Sequence, residues 1–158
     1  MKWITRKKAK VDRIACTWLV RKFIDKDAEF IFTSEDLVLE LSKKEGAIPF
    51  DVKGAELNHF LKDGIEYVSF DAIIRKYDLR DESLLELAKI IRGADARITG
   101  LTDSAPEALG LEAAATGFRL MSVDDYENMN LQFPLYDALY RYCQLKVEEG
   151  QSLENTVR

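Results

Sequence analysis

The chain changes its apolar rhythm once, near residue 69. Before it, short β-branched and aromatic runs alternate with helical stripes; after it, apolar residues recur almost entirely at helical spacing. Trp3-Ile4-Thr5 predicts a short first strand. Asp12 stands just before an apolar-periodic run, the usual place of an N-cap. In the helix predicted over residues 13–24, Cys16, Leu19, Val20 and Phe23 recur at i, i+3, i+4 and i+7 and make one buried stripe. Ile14 and Trp18 fall on the opposite side, so this helix is either sandwiched or presents a partner surface. Glu29-Phe30-Ile31-Phe32-Thr33 predicts the clearest strand, placed centrally. Ser34 is the cap of a second helix with Glu35 and Asp36 in its first turn, and Gly46 is its C-terminal stop. Residues 47–50 and 56–61 predict short strands, the first at an edge because of Pro49, with Lys62-Asp63-Gly64 a turn.

From Ser69 the stripes are Phe70, Ile73, Ile74 and Tyr77, then Leu84, Leu87, Ala88 and Ile91 after Asp81, ending near Gly93. Ser104-Ala105-Pro106-Glu107 reads as a capping box opening a helix with Ala108, Leu111, Ala114, Ala115 and Phe118. Residues 122–125 start the next helix. Pro134 is expected to interrupt it and begin a last one, packed on both sides, in which Asp137 is an interior acid in need of a partner such as Arg13, Arg21 or His59. The expected architecture is a helix-rich α/β fold with a small sheet in the N-terminal half and a helical C-terminal half. It forms one domain over residues 1–148, with a frayed tail at 149–158.

The 158 residues suit one domain with a real core. No apolar run reaches the roughly 18–20 residues of a membrane helix, and no apolar stretch follows the basic N-terminus, so neither a membrane span nor a secretory signal is expected. Cys16 and Cys143 are too few for a disulfide framework and are expected as reduced thiols in a cytoplasm. A net charge of −5 disfavours a general nucleic-acid binder. Yet Arg6, Lys7, Lys8, Lys10, Arg13, Arg21 and Lys22 crowd the first part of the chain, which suits either a solvated basic face or a small anion.

His59 is the sole histidine. It is either a structural residue making two hydrogen bonds or a metal ligand or proton-transfer group. A multi-histidine zinc site within one chain is excluded, so a metal would need carboxylate, thiolate or water as its other ligands. Asp12 and Cys16 lie one helical turn apart; with His59 above them they would make a mixed donor set, or a thiolate beside a cationic imidazole. The plainer reading makes Asp12 a cap and Cys16 a core residue. Asp71 is a first-turn acid that could pair with Arg75 or join a metal set. Arg13 lies in the first helical turn, where free N–H groups favour anions. Arg21 and Arg92 complete the candidate anion-binding residues, Arg92 alternatively pairing with Asp95 or another acid.

The block of residues 12–25, Asp-Arg-Ile-Ala-Cys-Thr-Trp-Leu-Val-Arg-Lys-Phe-Ile-Asp, resembles the opening signature of the C-terminal domain of the ChrB chromate-resistance family. Residues 46–52, 56–59, Ser69-Phe70-Asp71, Lys76-Tyr77, Ile91-Arg92-Gly93-Ala94-Asp95, Asp124-Asp125 and residues 135–140 match further blocks in the same order. The likeness covers nearly the whole chain. Thr17 stands where the family pattern has proline, and Val68 where a second cysteine often stands, which leaves Cys16 as a single candidate thiol.

The resemblance implies a role in chromate resistance, a stress response, with no nucleic-acid contact through this domain alone. Three functions follow as expectations. The first is binding or sensing of chromate or a related small oxyanion at Arg13, with Arg21, Arg92 or His59. The second is a metal-dependent redox enzyme using His59 with Asp12, Asp71 or Cys16 and a transition metal such as iron, manganese or zinc. The third is a protein-interaction domain using Ile14 and Trp18, for which a homodimer is the simplest form.

Overall fold

A computed structural model describes residues 1–95 and 98–157, with side chains through residue 151. Three parallel strands make the first sheet: β1 (Lys2–Arg6), β2 (Glu29–Thr33) and β3 (Ile48–Pro49), in the order β2-β1-β3. Ile4 stands opposite both Ile31 and Pro49. The central strand is therefore β1, not the aromatic β2. Both faces of β1 are covered, with Trp3, Ile4 and Thr5 fully buried, while β2 alternates faces and begins and ends on Glu29 and Thr33. Pro49 sits at an edge, as its missing donor requires. Trp3, Phe30 and Phe50 belong to the main core, beneath helix α1 (Asp12–Phe23). On the other side Ile4 packs with Val38, Ala47 and Val52 in a smaller cluster, below helix α2 (Val38–Glu45). Gly46 ends α2 in the left-handed conformation at φ 63°.

A hairpin of β4 (Phe60–Lys62) and β5 (Ile65–Tyr67) follows, turning on Asp63 and Gly64 at positive φ. Four helices complete the chain: α3 (Ser69–Lys76), α4 (Glu82–Ala94), α5 (Ala108–Met121) and α6 (Asp125–Val157). The helix expected after residues 104–107 forms as α5, but without the capping box, since its N-cap is Glu107 with no side-chain cap bond; Ser104 instead lies against Gly93, where a Cβ would come within 2.8 Å of the serine Cβ and 2.6 Å of that of Ala108. Pro134 interrupts nothing. The single helix α6 passes through it, because Met129, Tyr136 and Cys143 are buried on either side and outweigh one lost backbone bond. The same helix runs on to Val157 through the segment expected to fray. None of the helices is long and apolar enough to cross a membrane among the described residues.

Helix α1 is the sandwiched case. Ile14 and Trp18 are enclosed as fully as Cys16 and Leu19. Trp18 donates its indole N–H to Asp137 at 2.9 Å, and Lys22 pairs with the same carboxylate at 2.9 Å. Asp137 thus has its partners on α1 and is half-exposed, not held by Arg13, Arg21 or His59. An interaction surface built on Ile14 and Trp18 is not available, since both belong to the core.

Candidate functional site

The site grows from the loop between β1 and α1. Four residues on one stripe of α6 bind the backbone of this loop. Asp125 accepts from the N–H groups of Lys8 (2.9 Å) and Ala9 (2.7 Å). Asn128 donates to the Ala9 carbonyl at 2.9 Å, Gln132 to that of Lys10 at 3.1 Å, and the Tyr136 hydroxyl to that of Val11 at 3.1 Å. Buried backbone groups need such partners. The clamp holds Lys8 at φ 64°, a conformation a lysine adopts only when its surroundings impose it.

The loop delivers Asp12, which is buried and does not cap its own helix. Its two carboxylate oxygens instead accept the N–H groups of Ser69 and Phe70, each at 3.0 Å, and so close the start of α3. The Cys16 thiol donates to the same carboxylate from behind at 3.6 Å. Beside it, Asp51 follows β3 at φ 53° and is also buried. It accepts the Ser69 hydroxyl at 2.7 Å and faces Arg6 at 2.9 Å and Arg13 at 3.3 Å. Asp95 arrives from the end of α4.

These three acids surround one ring nitrogen. His59 Nε2 lies 3.3 Å from Asp95 Oδ2, 3.5 Å from Asp51 Oδ1 and 3.6 Å from Asp12 Oδ2. The nitrogen is buried and has no aligned hydrogen-bond partner among the described residues. Donor atoms of Asp12, His59 and Asp95 all lie within 4.8 Å of one another, close enough to share one metal ion. A set of one imidazole and several carboxylates suits a divalent transition metal of borderline or hard character, such as zinc, iron or manganese.

The charges are strongly coupled. Burial, reinforced by Asp51 and Asp95 and opposed by His59, raises the Asp12 carboxyl to about 7. Burial works against the His59 charge, but the Asp12 and Asp95 carboxylates overcome it and raise the ring to about 10. Without a metal the cluster therefore retains protons at neutral pH. Burial, with Asp12 behind it, pushes the Cys16 thiol well above its ordinary value, so this cysteine is a core thiol and not a thiolate nucleophile.

A cavity of about 140 Å³ opens onto this floor, lined by Lys8, Lys10, Asp12, Arg13, Asp51, Asp95 and Arg119. The three expected anion-binding arginines are otherwise engaged. Arg13 donates to the carbonyls of Arg6 (2.6 Å), Lys7 (2.8 Å) and Lys8 (3.3 Å), clamping the loop from the opposite side to α6. Arg21 donates to the Ala28 carbonyl and stacks between Phe30 and Phe133. Arg92 is buried against Asp71 at 2.6 Å, donates to the Asp103 carbonyl and covers the Tyr67 ring. Asp71 thus pairs with Arg92, not Arg75, and is outside the set that shares His59.

As site residues, Asp51 and the α6 stripe escape the sequence reading, and Asp95 enters it only as an alternative partner of Arg92. Asp125, Asn128, Gln132 and Tyr136 do carry a signal, since polar residues recur along one helical face beside buried Met129. Nothing local marks Asp51 or Asp95, which meet only through the tertiary fold.

A family model described as "ChrB, C-terminal domain" matches residues 3–143. Protein ChrB of Cupriavidus metallidurans is 32% identical over 141 residues, which cover 89% of this chain and 40% of that relative. The chain thus spans about 40% of the length of the curated relative it matches. No solved structure matches.

Proposed function

Because the chain belongs to the ChrB C-terminal domain family, whose members relate to chromate resistance, we propose that it serves that resistance by holding a divalent transition metal between His59, Asp12 and Asp95, with Asp51 alongside. One observation carries the reading: a buried imidazole nitrogen without an aligned partner, faced by carboxylate oxygens that three different elements deliver. A structural histidine would be expected to make aligned hydrogen bonds. A ligating one needs its nitrogen to face the space where the ion sits. His59 would supply the nitrogen, Asp12 and Asp95 the oxygens, and Arg6 and Arg13 would limit the charge that Asp51 adds. The bound ion would supply Lewis-acid or redox chemistry to whatever enters the cavity.

The experiment is metal analysis of the purified protein, followed by competition titration with manganese, iron and zinc. The reading predicts one ion per chain, lost in His59→Ala and in Asp95→Asn. A wild-type protein that carries none and takes up none refutes it.

The second reading, binding of chromate or a related oxyanion, has its own support in the rim of the cavity. Lys8 and Arg119 are exposed there and form no ion pair among the described residues. A dianion on the bare floor would meet carboxylates whose charge is only balanced by His59, Arg6 and Arg13, so this reading is favoured with the metal in place. Isothermal titration with chromate and sulfate would separate the two. Heat only in the metal-loaded protein joins the readings, whereas equal heat in the metal-free protein makes the anion independent of the ion.

A further inference from the structure

Glu66 is absent from the carboxylate cluster, yet it touches both structures that aim a ligand into it. Its Oε1 lies 3.7 Å from His59 Nδ1, on the ring edge away from Nε2. Its Oε2 accepts the N–H groups of Gly100 at 2.8 Å and Thr99 at 3.3 Å. Its backbone N–H donates to the Leu101 carbonyl at 2.8 Å, and its carbonyl accepts the Thr102 hydroxyl at 2.8 Å. Residues 99–102 are thereby laid along β5, in the stretch that follows Asp95. The approach is close enough that a Cβ on Gly100 would come within 3.0 Å of Glu66 Oε2.

An imidazole that gives one nitrogen to a metal must keep its proton on the other. A carboxylate placed at that proton fixes the tautomer and ring plane and strengthens the metal bond. We propose that Glu66 is the positioning residue of this site, its carboxylate facing the Nδ1 edge of His59 at ion-pair distance so that Nε2 faces Asp12, Asp51 and Asp95. The proposal rests on the metal reading above for its purpose, though not for its geometry.

Because His59 is the only histidine, ¹⁵N-histidine labelling isolates its two ring nitrogens without assignment. Glu66→Gln keeps an oxygen for the Gly100 N–H but removes the charge facing the ring. In the metal-free protein, exchange of the Nδ1 proton is expected to be at least about tenfold faster in Glu66→Gln than in wild type, the signature of a carboxylate charge lost from that ring edge. In zinc competition titrations the variant is expected to bind about 10- to 100-fold more weakly, with Glu66→Asp regaining part of the loss. Thr102→Val, which loosens the 99–102 strap and spares the carboxylate, is expected to leave zinc affinity within about twofold, since surface and strap changes away from the ligands cost little.

Unchanged Nδ1 exchange in Glu66→Gln overturns the proposal, and so does a Thr102→Val variant that weakens zinc as much as Glu66→Gln. If wild type binds no zinc while the exchange difference persists, the Glu66–His59 pairing stands and the metal reading falls.

Discussion

Replacing Arg92 by methionine tests whether this residue is a ligand-binding arginine or a buried counter-ion. Arg92 and Asp71 lie 2.6 Å apart with side-chain exposures of 6% and 9%, and Asp71 also accepts the Val68 N–H at 3.0 Å. Methionine preserves much of the volume and the contact with Tyr67, and removes the charge. What remains is a buried carboxylate with one backbone donor, a situation that costs about 3–5 kcal/mol. That is a large share of a typical domain stability of about 5–15 kcal/mol. The carboxyl has one escape, which is to take up a proton. Burial already raises Asp71 from its ordinary value in the intact pair, with Arg92 holding it down. Without Arg92 its folded value rises further. A carboxyl whose folded value lies above its unfolded one confers stability at low pH and loses it as pH rises toward the folded value. The penalty of Arg92→Met should therefore be smaller at pH 5 than at pH 8. Urea denaturation at the two pH values measures both. The double variant Asp71→Asn with Arg92→Met should recover about half of the loss or more, since no charge is then stranded. A single variant that costs under about 1 kcal/mol at pH 8, or a double variant no better than the single, would refute the reasoning.

Three further outcomes follow from the same structure. Gly93→Ala should lower stability by about 1–3 kcal/mol in thermal or urea melts, because its new methyl meets Ser104 and Ala108 at 2.8 and 2.6 Å. Tyr136→Phe should cost only about 0.5–1.5 kcal/mol, since the Val11 carbonyl it releases still accepts the Ala15 N–H at 2.9 Å; a large loss would mean that the α6 stripe does more than hold the loop. Between about pH 4 and 10 the metal-free protein should lose stability as pH rises, because Asp12 and His59 both titrate above their unfolded values, at about 7 and about 10. Added zinc should stabilise increasingly over the same range, because it needs the deprotonated ligands; a zinc effect that fades with rising pH would contradict this.

Local pattern carried most of the elements but not their assembly. The stripes of α1, α3 and α4 were legible because apolar spacing is set by one helix face. The parallel sheet was legible as strands, but its order was not. The aromatic content of β2 pointed to the centre, while centrality depends on which strand is covered on both faces, and that is decided by where α2 returns the chain. Asp12 shows the same limit in the site. A carboxylate before a helix predicts a cap, and Asp12 does cap a helix, but it caps α3, 57 residues away in sequence. The local penalty of Pro134 alone predicts a break, whereas α6 is held by Met129, Tyr136 and Cys143 over a much greater length. His59 and Asp12 could be nominated because histidine and a helix-start acid are conspicuous. Asp51 and Asp95 could not, since an aspartate after a strand and another after a helix are what any surface loop would show.

The balance of charge connects the two ligands that the sequence left in competition. Among the described residues, the acids of Asp12, Asp51 and Asp95 in the metal-free cluster are met by Arg6, Arg13 and the protonated His59 ring. Among the described residues the guanidinium nearest that floor, Arg13, is committed to three carbonyls. A divalent ion changes this. Held by His59, Asp12 and Asp95, it would bring two charges in exchange for the ring proton and part of the proton on Asp12, so the cluster would gain positive charge. The floor would then favour an anion more than the balanced metal-free cluster does, beneath a rim where Lys8 and Arg119 already stand. On the proposed metal reading, electrostatics would favour cation first, anion second. Reciprocity requires the anion to tighten the hold on the metal by the same factor. Zinc affinity measured with and without saturating sulfate tests this directly, and equal affinities would separate the rim from the floor.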